Sequence, residues 1–236
     1  MLDPIFSGYR FPPDVILWGV RWYCRYPISF RNLEGMMKER GVAVDHSTIE
    51  RWVKKFGPEI EKRLRKQPSS VGKSWRVDET YVKVNGEWKF LYRAVDKQGN
   101  TVDFMLSETQ DKTAAKAFFK KSLKKPSNPK PEKINTDKHL AYPVAIEALK
   151  EEGKIPKETE HLRVKCLNNI IESEHARFKQ PCKPMKWFKT FDGAEKTLSG
   201  MEGRCGINRK RHGTALPILS LGDFNRDRHA KLSHSV

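Results

Sequence analysis

The stretch W-R-V-D-E-T-Y-V-K-V-N-G-E-W-K-F-L-Y-R-A-V, residues 75–95, is rich in β-branched and aromatic residues and is broken once, by Asn85-Gly86. Asn-Gly between two such runs is a strong hairpin signal, because both positions of the favoured turn need a positive φ. Strands are expected over residues 74–84 and 87–95. Asp78 interrupts the first of them, and a charge inside an apolar strand is costly unless it is used. Its neighbour Glu79 must point to the opposite face of the sheet.

Downstream, Asp96 to Asn100 makes a second turn around Gly99, and Thr101 to Leu106 gives a third strand. Lys112 to Leu123 reads as a helix, and a basic, Pro-rich loop follows over 124–131. A short strand ends at Thr136, a helix covers His139 to Glu152, a strand lies near His161 to Val164, and a last helix carries Glu172. The order βββαβαβα predicts a mixed five-stranded sheet with helices on its faces. This is the order of the ribonuclease H-like fold, in which the first and fourth strands lie side by side. Asp78 in the first and Asp137 just after the fourth would then meet at one place. Asp137 also follows a parallel strand at its C-terminal end, where α/β sheets put their sites.

Glu172 is separated from Asp137 by 34 intervening residues, in the first turns of N-N-I-I-E-S-E-H-A-R-F-K, residues 168–179. Ala176 and Lys179, at i+4 and i+7, share its face. Glu174 is rotated by about 200° and cannot take its place without turning the helix. Two strand-borne Asp and one helix-borne Glu are the ligand types that gather a pair of divalent metals for in-line displacement at phosphorus. Asn168 and Asn169 are suited to cap this helix. His175 can be a ligand, a base or a DNA contact, or it can simply pack beside Ile171 and Phe178. His139 and Tyr142 can flank the site or pack.

Upstream of the hairpin the period changes to 3.6. Val15, Ile16, Trp18, Gly19, Trp22 and Tyr23 form one apolar stripe, ended by Pro27. A second helix starts after Ser29 and stops at Gly41, and a third runs from His46 to Phe56 with Ser47 and Thr48 able to cap its start. Three helices with a Gly-marked turn before the last resemble a helix-turn-helix. The third helix offers His46, Ser47, Thr48, Glu50, Arg51 and Lys54, side chains that read base edges or hold phosphates. Four units follow: a helix-turn-helix DNA-binding domain over 1–67, a linker over 68–73, a ribonuclease H-like catalytic domain over 74–190 and a basic helical tail over 191–236.

The charge agrees with a nucleic-acid partner. The 236 residues carry 46 Lys and Arg against 29 Asp and Glu, a net +17 spread along the whole chain, and such an excess favours a polyanion. The four cysteines stand far apart, with no Cys-x-x-Cys and no zinc spacing, which fits thiols in a reducing cytosol. No signal peptide is apparent, and no apolar run approaches the ~18 residues of a membrane helix.

The chain resembles DDE transposases of prokaryotic insertion sequences, in particular the short transposases of the insertion-sequence-six family. The resemblance rests on residues 14–33, 41–53, 78–96, 134–138 and 168–179, in the family's order. It implies Asp78, Asp137 and Glu172 as the catalytic and metal-binding triad, with two Mg²⁺ ions for which Mn²⁺ can substitute. Lys179 matches the family's basic residue seven positions after the Glu, Arg177 lies beside the same site, and 46–54 falls in the DNA-recognition helix. The implied activity is binding of terminal inverted repeats and metal-dependent cleavage and strand transfer of double-stranded DNA, replicatively into a cointegrate. A homodimer or larger assembly at the nucleoid, in a prokaryotic cytoplasm, is implied as well. A nuclease of the same fold that cuts without joining, and a domesticated DNA-binding regulator, are the alternatives. The first is disfavoured by the helical front end and the second by the intact acidic triad.

Overall fold

The computed structural model describes residues 4–65, 71–182 and 187–209. The expectations for the C-terminal segment beyond 209 and for residues 68–70 of the linker lie outside the described residues.

Strands β1 (Ser74–Val84) and β2 (Glu87–Asp96) pair antiparallel through Asn85-Gly86, and β2 pairs antiparallel with β3 (Thr101–Ser107). Asn85 and Gly86 both have positive φ, 49° and 83°, as a type I′ turn requires. Strand β4 (Lys133–Asn135) then pairs parallel with β1, and β5 (Glu160–Leu162) parallel with β4. The sheet order is β3-β2-β1-β4-β5. A three-stranded meander extended by two parallel, helix-crossed strands is the ribonuclease H-like sheet.

The side chains of β1 alternate between two cores. Trp75 and Val77 join Tyr92, Ala94 and Val102 beneath α4 (Lys112–Leu123) and α5 (Ala141–Glu151). Val82 and Val84 join Leu91, Phe104 and Leu106 on the other face. That second core is shared with α1 (Pro13–Arg25), α2 (Phe30–Lys38), α3 (His46–Arg65) and α7 (Phe191–Arg209). Helix α6 (Asn169–Cys182) lies on the same face, against β1 and β2.

The helical front end is built on local signals. Ser29 caps α2, its hydroxyl accepting from Asn32 N at 3.1 Å. Helix α3 is capped by Asp45, whose Oδ1 accepts from Ser47 N at 2.8 Å, and not by Ser47 or Thr48. It also runs on past the expected stop at Phe56, through Gly57-Pro58 to Arg65. Proline removes one helical hydrogen bond, but Phe56, Gly57 and Ile60 are buried, and Gly57 crosses Gly200 of α7. A Cβ on Gly57 would stand 3.0 Å from the Lys196 carbonyl, and one on Gly200 would stand 2.9 Å from Cys24 Sγ and 3.1 Å from Gly57 Cα. The missing side chains let the two helices touch backbone to backbone. Further along α7, Glu202 binds Arg93 of β2 (Oε1 to Nε, 2.6 Å), both fully buried.

Candidate active site

Asp78 projects on the face of β1 covered by α6, between the polar neighbours Arg76 and Thr80 and opposite Arg93. Arg76 fixes the cover: its Nε donates to the Leu167 carbonyl at 2.9 Å, in the 3₁₀ turn that leads into α6. Asp137 lies two residues past β4. Its Oδ1 accepts from His139 N at 2.9 Å, and His139 Nδ1 accepts from Ala141 N at 3.2 Å. These two contacts use up the segment expected to be the first turn of the helix, so α5 begins at Ala141.

Strand β5 ends at Leu162, short of the expected Val164, because a side chain takes over the ladder. Asn135 Nδ2 donates to the Val164 carbonyl and to Asn168 Oδ1, at 3.0 and 2.6 Å, while Val164 N donates to Asn135 Oδ1 at 3.1 Å. Asn168 thus ties the start of α6 to the end of β4. The contact sets α6 beside Asp137.

Glu172 is exposed in the first turn of α6. Its charge reaches Asp78 all the same. Asp78 is pushed up to about 7 by burial, then by the charges of Glu79, Asp137 and Glu172. Two acids from distant segments, Asp137 and Glu172, therefore act with the adjacent Glu79 on one partly buried carboxylate. His175, one turn after Glu172, is buried with its Nδ1 3.6 Å from Asp78 Oδ2. Burial, with the charges of Arg93 and Lys179, lowers it to about 3 and keeps the imidazole neutral. The expectation that His175 merely packs beside Ile171 and Phe178 omitted this contact. Its signal in the sequence was the i+3 spacing from Glu172. Lys179 continues the same helix face, partly exposed. The side chains of Glu174 and Arg177 lie outside the described residues.

The donor set suits a hard divalent cation: carboxylates alone, one of them held at an unfavourable charge that a cation would relieve. Among the described residues, the trio whose ligand atoms all lie within 4.8 Å of one another is Glu34, Asp45 and His46. Asp78, Asp137 and Glu172 are spread more widely.

The proposed recognition residues of α3 fall on two sides. Ser47 and Arg51 are exposed, and Arg51 Nη2 donates to Thr48 Oγ1 at 2.9 Å. His46, Glu50 and Lys54 instead line a cavity of about 550 Å³ closed by Trp187, Phe188 and Thr190. There Lys54 pairs with Glu50 at 2.7 Å and His46 Nδ1 meets Glu34 Oε2 at 2.9 Å.

Residues 72–211 match a family model described as a DDE domain. The transposase for insertion sequence-like element IS431mec of Staphylococcus aureus (strain N315) is 36% identical over 84% of this chain and 85% of its own length. The chain belongs to the DDE transposases, in the insertion-sequence-six group. A second relative, the transposase for insertion sequence element IS257 in transposon Tn4003 of Staphylococcus aureus, is 35% identical over the same shares. The HTLV-2 integrase catalytic core domain in complex with magnesium (dimeric form) superposes with a TM-score of 0.38 and 18% identity, covering 54% of this chain and 84% of that one. The transposase is accordingly a metal-dependent enzyme that cuts and joins DNA. No helix among the described residues is long and apolar enough to cross a membrane.

Proposed function

We propose that Asp78, Asp137 and Glu172 are the catalytic carboxylates of this transposase and hold two Mg²⁺ ions, which Mn²⁺ can replace. The observation that carries this reading is the convergence of Asp137 and Glu172 on part-buried Asp78, whose proton affinity is raised first by burial and Glu79 and then by their charges. Bound there, the two ions supply charge neutralisation and polarise the attacking and leaving oxygens of an in-line displacement. Asp78, part-buried on β1, supplies the fixed ligand. Asp137 and Glu172 approach from either side, on the loop after β4 and on α6.

Neutral His175 keeps a positive charge away from the site while packing against Asp78. Lys179 continues the Glu172 face toward solvent, where it can hold a phosphate close to the carboxylates. Arg177 precedes it by two residues on the same helix. Ser47 and Arg51 are the exposed members of this set on α3, poised to enter a DNA groove, with Thr48 holding Arg51 and His46, Glu50 and Lys54 lining the neighbouring cavity. The DNA substrate is the element's own terminal inverted repeats, bound by a homodimer or larger assembly. A 3′-hydroxyl freed by cleavage then attacks a target phosphodiester and displaces the target strand's 3′-oxygen as the new bond forms, and replication of the joined DNA yields a cointegrate. The residues 1–67, 74–190 and 191–236 serve as recognition, catalytic and accessory segments of this reaction.

The test uses the purified chain with Mg²⁺ and a supercoiled plasmid carrying the element's flanking ends. Cleavage at those ends followed by joining is expected, with scrambled ends left intact. Nicking of both plasmids without joining would identify a nuclease, and end binding without cleavage would identify a regulator.

A further inference from the structure

Glu79 follows Asp78 directly but faces the opposite side of β1, toward the aromatic core under α4 and α5. It is half-buried, and both its oxygens are engaged. The Tyr142 hydroxyl, on α5, donates to Oε2, and Gln110 Nε2, in the turn before α4, donates to Oε1. A carboxylate in this position must be partly desolvated. An apolar residue of similar size would fill the same space at less cost. Stability alone does not explain Glu79.

The contacts beyond Tyr142 give a different reason. Tyr142 is fully buried, and its ring stands edge-on to His139, 6.4 Å between centroids. His139 in turn donates its backbone N–H to Asp137 Oδ1. One continuous set of contacts therefore runs from the residue beside Asp78, through Glu79, Tyr142 and His139, to Asp137. Strand β4 pairs with β1 over just three residues, ending at Arg76↔Asn135. Both Asp78 and Asp137 lie beyond the last paired residues, so the backbone ladder does not fix their separation.

We propose that Glu79 and Tyr142 are positioning residues that set the spacing between Asp78 and Asp137, and so tune the affinity of the site for divalent cations. The proposal rests on the triad reading above. Neighbours that orient metal ligands are typically worth ~10–100-fold in metal affinity.

The test is Mn²⁺ binding by the full chain without DNA, read from the electron paramagnetic resonance signal of free Mn²⁺, beside the thermal midpoint in chelator. The variants are Tyr142→Phe, Glu79→Ala, Glu79→Gln and Asp78→Asn. Tyr142→Phe, which keeps the ring, and Glu79→Ala are expected to weaken Mn²⁺ binding by about tenfold. Glu79→Gln can still accept from Tyr142, and a flipped Gln110 amide can accept from it, so its affinity stays within about threefold of wild type. Midpoints that fall while Mn²⁺ affinity holds would make the contact merely structural and overturn the proposal, as would no change in either. If Asp78→Asn binds Mn²⁺ as tightly as wild type, the triad reading itself fails and takes this one with it.

Discussion

Replacing Asp78 by Asn probes the charge state of the carboxylate cluster. Burial, then Glu79, Asp137 and Glu172, push Asp78 up to about 7, whereas an unfolded Asp titrates near ~3.9. Between those values the folded chain holds a proton that the unfolded chain has lost. The stability this group contributes is full below pH ~4, declines as pH rises and is gone above pH ~7. At ~1.36 kcal/mol per pH unit the whole span is on the order of 4 kcal/mol. Asp78 is only part-buried, so solvent screens part of this and roughly half, ~2 kcal/mol, is expected. Asn imitates the protonated acid. Metal-free Asp78→Asn should therefore unfold ~4–8 °C above wild type at about pH 8, with the gap closing toward pH 4. Circular dichroism melts in chelator across that range give the comparison. Added Mg²⁺ should raise the wild type and leave the variant unmoved. An Asn variant less stable than wild type at pH 8, or a difference independent of pH, would refute the electrostatic picture.

The helix crossing makes a second prediction: Gly200→Val meets Cys24 Sγ and the Gly57 backbone and should destabilise by ~1–3 kcal/mol in urea melts. Glu202→Ala strands a charge beside Arg93, both fully buried, and should cost about 3–5 kcal/mol by the same measurement. Lys179→Ala should weaken DNA binding without changing which ends are preferred, and should lower the slope of log K against log salt by about 1. Arg51→Ala should weaken binding to the true ends by ~1–3 kcal/mol, with a smaller effect on scrambled ends, in fluorescence anisotropy.

Much of the fold was legible because its signals are local. Asn85-Gly86 marks the hairpin, Ser29 the second helix, and the alternation in 75–95 the two-faced sheet. The carboxylates were legible for a related reason: a charge in a β-branched strand and another just past a parallel strand stand out against their surroundings. What stayed hidden depends on contacts far apart in sequence. Gly57-Pro58 looks like a helix end until Gly200 is seen against it. Asn168 is tied to Asn135, 33 positions earlier, by a side-chain bond that no local spacing announces. His175 reads as packing until α6 is laid on the face of β1 that carries Asp78. Glu79 pointed away from the site as alternation required, but its partners Tyr142 and Gln110 could not be named from spacing.

The central claim is that Asp78, Asp137 and Glu172 carry the chemistry. The most direct measurement is strand transfer from pre-cleaved element ends into a target plasmid, in Mg²⁺ and in Mn²⁺, for wild type, Asp78→Asn, Asp137→Asn, Glu172→Gln and Glu174→Gln. The first three variants should lose joining while still binding the ends, and Glu174→Gln should join as wild type does. Joining by Glu172→Gln with loss in Glu174→Gln would contradict the account and turn α6 by half a revolution.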